Sequence, residues 1–175
     1  MDESKSTFNL AMKPGLITAG VSVLISLLLW ALVDDMQSQQ KYGYLTWLIM
    51  GVMYFYFTKN YRENELDGNL SFGQGFKFMF VMSIVISIIN AIYTYALFTY
   101  LDPSLIEMIK EKAAEQVYQQ NISDEQAEAA IEMQSAWMTS GMMAFYAIFG
   151  GLFFGTIMSL IIALFTKKEV VTFED

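Results

Sequence analysis

The side chains that carry chemistry in this chain are few, and the two most versatile types are missing. The 175 residues include no cysteine and no histidine, which excludes disulfides, thiolate metal sites and imidazole proton transfer. In the longest apolar stretches the reactive groups are hydroxyls and one amide, with no Asp, Glu, Lys or Arg beside them. A hydroxyl without a nearby base is a poor nucleophile. We therefore expect no enzymatic activity and no cofactor.

The third of four long apolar stretches, at residues 78–101, carries an ordered set of polar residues. Ser83 and Ser87 fall on nearly one line of a helix, and Asn90 lies near the middle of the stretch. An amide in hydrocarbon needs a partner, and a hydrogen bond between helices contributes about 0.6–2 kcal/mol. These residues predict a contact surface with a neighbouring helix.

The fourth apolar stretch, at residues 141–165, carries a row of small residues. Gly151, Gly155 and Ser159 recur every four positions, and Gly150 lies beside them. Such a row lets two helix backbones approach closely. It predicts packing, either within the fold or between two copies of the chain. A substrate path lined by these residues is the functional alternative.

A ladder of glutamates between these two stretches suggests a divalent-cation site. Glu107, Glu111 and Glu115 are spaced by four residues, so their carboxylates share one helix face. The ladder lacks the turn that a calcium loop requires. We therefore interpret it as a solvated face and predict no metal site.

The elements that position these residues are four runs without Asp, Glu, Lys or Arg, at residues 14–33, 42–58, 78–101 and 141–165. A run of about 17–25 apolar residues matches the hydrocarbon core of a bilayer. The first run is longer than a signal-peptide core of about 7–15 residues, so we expect it to be retained. The sequence thus predicts an all-α, polytopic membrane protein, with residues 1–175 forming a single four-span domain.

Two amphipathic helices are expected between the third and fourth spans, at about residues 103–120 and 123–138. Asp102 and Pro103 fit an N-cap followed by proline at the first helical position. Ser123 and Gln126 have the spacing of a capping box at the start of the second helix. Together they predict an acidic two-helix hairpin outside the cytoplasm.

Basic residues in the connections set the predicted orientation. With the N-terminus inside, seven Lys and Arg residues lie on the cytoplasmic side and three on the outer side. The inner seven are Lys5, Lys13, Lys59, Arg62, Lys77, Lys167 and Lys168. The positive-inside rule therefore places both termini in the cytoplasm. Lys59, Arg62 and Lys77 are predicted to lie near the anionic membrane surface.

The inner connection between the second and third spans has its own start signal. Leu66 to Asn69 contains the Gly-Asn pair of a turn, because these residues tolerate positive φ. Ser71 and Gln74 have capping-box spacing, so the third helix is predicted to begin before the membrane does. Gly73-Gln74-Gly75 lacks the third glycine of a nucleotide-binding fingerprint and follows no predicted strand.

The inner connection and the fourth span resemble a known family. Tyr61-Arg62, Gly68 and the run Leu70-Ser71-Phe72-Gly73-Gln74-Gly75-Phe76-Lys77 are similar to the inner-loop pattern of the bacterial membrane family called domain of unknown function 4199. Asp102-Pro103, Gly150 to Gly155 and Thr166-Lys167-Lys168 are similar too, so the resemblance extends from about Lys13 to Glu169. It implies a small four-span inner-membrane protein of the bacteroidete lineage. It brings no established activity and no catalytic residue.

The expected function is that of a non-enzymatic integral membrane protein. We expect a scaffold, an accessory subunit or a homo-oligomer in the bacterial cytoplasmic membrane, with the lipid bilayer and another membrane protein or a second copy as partners. Nucleic acid is not an expected partner. The alternative is a small transporter or channel formed by assembled copies, although no ionisable residue lies in the spans to mark a pathway. An intramembrane enzyme is the third class.

Overall fold

The computed structural model describes residues 6–33, 36–120 and 122–168, and these residues form helices with no extended strand. The prediction of an all-α fold is confirmed. Six α-helices follow one another along the described chain, with a short π-helical segment after the third. They are α1 (Thr7–Leu32), α2 (Met36–Glu65), α3 (Phe72–Ala96), the π segment (Leu97–Leu101), α4 (Ser104–Tyr118), α5 (Asp124–Ala136) and α6 (Ser140–Thr166).

Three of the described helices are long and apolar enough to cross a membrane: α1, α3 extended through the π segment to Leu101, and α6. These three include the first, third and fourth predicted spans. The second predicted span lies within α2, which has 30 residues. Tyrosines such as Tyr54 and Tyr56 recur along α2 and lower its hydropathy, so α2 is not among the three.

The chain divides into two compact units. The first unit comprises residues 1–89 and 149–175, and the second unit comprises residues 90–148. Four helices contribute to the core of the first unit. Its fully buried apolar members are Ala11, Ala19, Tyr54, Tyr61, Leu70, Phe78, Met79, Met82, Ile86, Ile162 and Ala163.

Small residues on α1 form part of this core. Ala11, Gly15 and Ala19 are buried and recur every four residues on one face of the helix. A Cβ added to Gly15 would lie 3.0 Å from the Cβ of Val85 on α3. Glycine therefore lets α1 and α3 approach this closely without displacing Val85.

The inner connection forms as its sequence predicts. Asp67 and Gly68 adopt positive φ angles of 50° and 80°, and the Asn69 N–H donates to the Leu66 carbonyl at 2.9 Å. The Ser71 N–H donates to the Gln74 side chain at 2.9 Å, and the Gln74 N–H donates to the Ser71 hydroxyl at 3.3 Å. The turn and the capping box that opens α3 are confirmed, although the residue that joins Gly68 in having positive φ is Asp67 and not Asn69.

The second unit contains the end of α3, the π segment, the start of α6 and the pair α4 and α5. The capping box at Ser123 and Gln126 is confirmed. The expected start of α4 agrees with the structure to within one residue: Asp102 has non-helical dihedral angles, Pro103 has helical ones (φ −62°, ψ −21°), and α4 begins at Ser104. Asp102 also closes the π segment, through its N–H to the Leu97 carbonyl at 2.8 Å, while its carboxylate accepts from the Ser104 hydroxyl.

The π segment is stabilised by the first residue of α6. The Ser140 hydroxyl, at the start of α6, donates to the Phe98 carbonyl at 3.3 Å. A π turn leaves backbone carbonyls poorly paired, so a side-chain donor of this kind stabilises it. This contact joins residues 42 positions apart.

Candidate functional site

A polar seam in the first unit joins α2, α3 and α6. The Ser83 hydroxyl donates to the Met79 carbonyl at 2.9 Å, and its oxygen lies 2.8 Å from the Tyr54 hydroxyl. Since a serine hydroxyl has one hydrogen, Tyr54 is the donor to Ser83. Both residues are buried, with 3% of Tyr54 and 1% of Ser83 exposed. The seam therefore contains a buried hydrogen bond between helices.

The glycines of α6 lie directly against the serines of α3. A Cβ added to Gly155 would lie 2.6 Å from the Ser83 Cβ, and one added to Gly151 would lie 3.2 Å from the Ser87 Cβ. Real Cβ atoms do not approach within 3.0 Å, so only glycine fits at Gly155. The structure thus places Gly151 and Gly155 in a contact within one chain.

Several hydroxyls in the first unit bond to their own helix. Ser159 donates to the Gly155 carbonyl at 2.6 Å, Thr18 to the Pro14 carbonyl at 2.8 Å, and Thr166 to the Ile162 carbonyl at 2.9 Å. Such bonds to the preceding turn satisfy the hydroxyl without a partner helix. Among the described residues of the first unit, the buried hydroxyl oxygens of Thr58 and Ser87 have no hydrogen-bond partner.

Gly150 and Asn90 complete the set of predicted packing residues. A Cβ added to Gly150 would meet nothing within 4 Å, so Gly150 is beside the seam rather than in it. Asn90 is half-buried and belongs to the second unit. Asn90 has an interaction partner.

A backbone bridge that the sequence did not predict joins the end of α6 to the residues just before α3. Leu70 and Lys168 form an isolated antiparallel bridge, with N–H to carbonyl distances of 2.8 and 2.9 Å. Leu70 is 1% exposed. The bridge therefore fixes the end of α6 to the start of α3.

Arg62 reinforces this junction. Its Nη1 donates to the Thr166 carbonyl at 3.0 Å, while its Nε and Nη2 donate to the Glu63 carboxylate at 2.9 and 2.6 Å. The Thr166 carbonyl belongs to the last turn of α6, where carbonyls lack helical partners and a cation is favourable. Arg62 therefore caps α6, and only 16% of its side chain is exposed.

The other motif residues of the inner connection also serve packing. Tyr61 stacks on Phe78, with ring centroids 4.2 Å apart and an angle of 4° between the planes. A Cβ added to Gly75 would lie 3.2 Å from the Leu70 side chain and 3.8 Å from the Thr166 hydroxyl. Glycine at this position lets α3 begin against the Leu70–Lys168 bridge. The group Arg62, Leu70, Gly75, Thr166 and Lys168 is called the inner junction below.

The predicted membrane-surface residues divide into two kinds. Lys59 and Lys77 are exposed, and Arg62 belongs to the inner junction. The Arg62 guanidinium lowers the pKa of Glu63 below its usual range through its hydrogen bond, and Lys168 and Lys59 contribute weaker attraction. Glu63 is exposed, so water screens these interactions.

The second unit contains an open cleft of about 640 Å³. The cleft is lined by the end of α4, one face of α5 and the start of α6, including Val117, Ala130, Met133, Trp137, Met143 and Tyr146. Its polar lining includes the amides of Gln120 and Gln134. Ala130, Met133, Gln134 and Trp137 have the spacing of a single helix face. The sequence predicts the two helices of the hairpin but not the cleft beside them.

In the described parts of the chain, no group of three or more His, Cys, Asp or Glu residues is placed to hold a metal ion. The described charged side chains are not among the buried residues, whose polar members are all Ser or Thr. The two best-defined features are therefore the packed seam with its inner junction and the cleft of the second unit.

Comparison with known proteins identifies a family without a described activity. Neither the curated proteins nor the solved structures yield a match. The family model described as Protein of unknown function (DUF4199) matches residues 13–168. This range includes the seam, the inner junction and the cleft. The chain belongs to the DUF4199 family.

Proposed function

We propose that this protein is an integral protein of the bacterial inner membrane that crosses the bilayer four times. Both termini lie in the cytoplasm, and α4 and α5 form an acidic hairpin outside it. The protein acts as a non-enzymatic scaffold or accessory subunit. In this proposal the first unit holds the protein in the bilayer, and the acidic segment makes the contacts with partners.

The exposed apolar face of α2 carries the proposal of a fourth span. Leu45, Leu48, Val52 and Phe55 recur at intervals of three or four residues and are 45–66% exposed. Tyr54 and Thr58 of α2 point the other way, into the core. A continuous apolar row exposed to water promotes aggregation. In hydrocarbon the same row is the normal outer face of a membrane helix, so we place α2 in the bilayer.

Charge supports the proposed orientation. The second unit contains eight carboxylates and two lysines. Most of the Lys and Arg residues lie in the segments that a four-span topology places inside. The positive-inside rule favours this arrangement over its inverse.

The hydroxyl pairing favours a scaffold over a transporter. Hydroxyls that bond to their own helix, as those of Ser159 and Thr166 do, offer no continuous polar path. The second candidate function is a pore formed by several copies, and the unpaired hydroxyls of Ser87 and Thr58 favour it. Water bound to these two oxygens would form the first part of a polar path through the pore.

Photocrosslinking in native membranes tests the scaffold proposal. A photoreactive residue replaces Glu111, which is exposed on α4, or Phe153, which is 63% exposed on α6. We expect adducts with another protein from position 111 and only lipid adducts from position 153. Self-crosslinked ladders from position 153, together with solute flux in liposomes that Asn90→Leu or Ser87→Ala abolishes, would establish the pore instead.

A further inference from the structure

We propose that the cleft of the second unit binds one acyl chain of an outer-leaflet lipid whose headgroup carries an ammonium group. The inference rests on the proposed four-span topology, which places this unit at the outer membrane surface. The lining, the position and the charge of the cleft each support it.

The lining of the cleft suits a flexible hydrocarbon chain. Met133, Met138 and Met143 contribute unbranched, polarisable side chains that adapt to irregular apolar ligands. Trp137 adds a broad apolar surface and is 58% exposed in the structure. The volume of about 640 Å³ falls within the range of about 300–1,000 Å³ that is usual for small-molecule sites. An acyl chain therefore matches the cleft in both chemistry and size.

The position of the cleft gives such a chain a direct route. Met143 and Tyr146 line it and belong to the charge-free run Gly141 to Phe165. This run is the proposed fourth span, so the cleft opens at the depth where the span enters the membrane. A lipid reaches it from the hydrocarbon without exposing its chain to water. The amides of Gln120 and Gln134 supply donors for ester or phosphate oxygens.

The negative charge of the second unit favours a lipid with a positively charged group in its headgroup. Its eight carboxylates outnumber its two lysines, so it repels anionic lipids and attracts an ammonium group. Glu128 and Glu132 lie on the face of α5 opposite to Ala130 and Met133, according to helical spacing. The carboxylates therefore influence the headgroup without interrupting the apolar lining.

Tryptophan quenching by brominated lipids tests the proposal. The double variant Trp30→Phe/Trp47→Phe leaves Trp137 as the single fluorophore. It is reconstituted into vesicles of equal parts phosphatidylethanolamine and phosphatidylglycerol, with bromine on the acyl chains of one lipid or the other. Overall composition is then constant. We expect brominated phosphatidylethanolamine to give about fivefold stronger association with Trp137, a preference that falls at about 1 M salt.

A second double variant separates the cleft from the topology. Trp30→Phe/Trp137→Phe leaves Trp47, which lies on α2 against Phe154 with ring centroids 4.8 Å apart. We expect both brominated lipids to quench Trp47 equally. An unquenched Trp47 would contradict the span proposed for α2. A quenched Trp47 with an unquenched Trp137, or equal quenching of Trp137 by the two lipids, would overturn the lipid proposal.

A cleft-filling substitution provides an independent check. Ala130→Phe places a ring in the cleft, whereas Ala129→Phe adds the same ring at an exposed position that does not line the cleft. In the Trp137-only protein we expect the first change to remove most of the lipid preference and the second to leave it intact. Equal effects of the two changes would contradict binding in the cleft.

Discussion

The two units of this chain pack their side chains to very different degrees, although both are helical. Of the described apolar residues that are buried, twelve belong to the first unit and only Ala91, Val117 and Ala127 belong to the second. In the core of the first unit, glycine and hydroxyl contacts bring the helices close together. The second leaves Met133 and Trp137 open. This difference supports the proposal that the first unit holds the protein in the bilayer and that the second contacts other molecules.

The difference follows from residue type. The first unit combines Gly, Ser and Ala at helix contacts with long apolar residues around them, which allows close packing of backbones. Both α4 and α5 carry several carboxylates, and most of the apolar residues of α5 are alanines, so less apolar area is available to bury. Substitutions should therefore affect stability strongly in the first unit and weakly in the second.

The largest expected effect is that of Gly155→Ile. The new Cβ would meet the Ser83 Cβ at 2.6 Å, and α6 would have to move from α3. We expect the free energy of unfolding to fall by about 3 kcal/mol, measured by thermal unfolding in detergent micelles. The matched control is Gly150→Ile, where a Cβ meets nothing within 4 Å. Equal melting temperatures for the two variants would contradict the packed seam.

Loss of the Arg62 side chain should have the next largest effect. Arg62→Ala removes the donor to the Thr166 carbonyl and leaves the end of α6 uncapped. We expect a loss of about 1.5–2 kcal/mol in the same unfolding assay. Lys59→Ala, an exposed change on the same helix, should have almost no effect. If Lys59→Ala proved as harmful as Arg62→Ala, general surface charge rather than the inner junction would explain the loss.

A double-mutant cycle measures the buried hydroxyl pair. Tyr54→Phe and Ser83→Ala each remove one side of the 2.8 Å contact. We expect a coupling free energy of about 0.6–1 kcal/mol, typical of hydrogen bonds between membrane helices. Additive losses in the two single variants would show that the pair does not interact.

A polar substitution in the cleft should hardly change stability. Met133 is 68% exposed, so Met133→Gln should alter the free energy of unfolding by less than about 0.5 kcal/mol. A loss above about 2 kcal/mol in the unfolding assay would indicate that the second unit is packed as tightly as the first.

The smallest expected effect is a pH dependence at Glu63. Its pKa is lower in the folded protein than in the unfolded chain because of the Arg62 hydrogen bond. The contribution of Glu63 to the free energy of unfolding is therefore fully present above the pKa of glutamate in the unfolded chain. It is lost as the pH falls through the lower pKa of the folded protein. As the pH is lowered from neutral to acidic, the free energy of unfolding should decrease slightly less for Glu63→Gln than for the unmodified protein. A steeper decline would contradict the sign of the shift.

The sequence predicted the features that depend on local spacing. The capping boxes at Ser71 and Ser123 and the turn near Gly68 involve residues three or four apart, so their patterns are readable directly. The spacing of Gly151 and Gly155 indicated a close-packed surface. It did not reveal that Ser87 and Ser83 would be the neighbours, because a small-residue row carries no information about its partner.

The features that the sequence did not predict depend on long-range contacts. Arg62 and Thr166 are 104 positions apart, so neither residue signals the other. The π segment depends on the distant Ser140, and the cleft depends on three helices together. The row Ala11, Gly15 and Ala19 was present in the sequence with a spacing of four, and the same reasoning that was applied to α6 would have found it.

Cysteine labelling from outside the cell tests the central claim, the four-span topology, most directly. The chain has no native cysteine, so single cysteines at Lys41, Asn64 and Glu128 report their sides of the membrane through an impermeant maleimide. We predict labelling of Lys41→Cys and Glu128→Cys but not of Asn64→Cys. Labelling of Asn64→Cys without Glu128→Cys would contradict the account, because α2 would then not cross the bilayer or the orientation would be inverted.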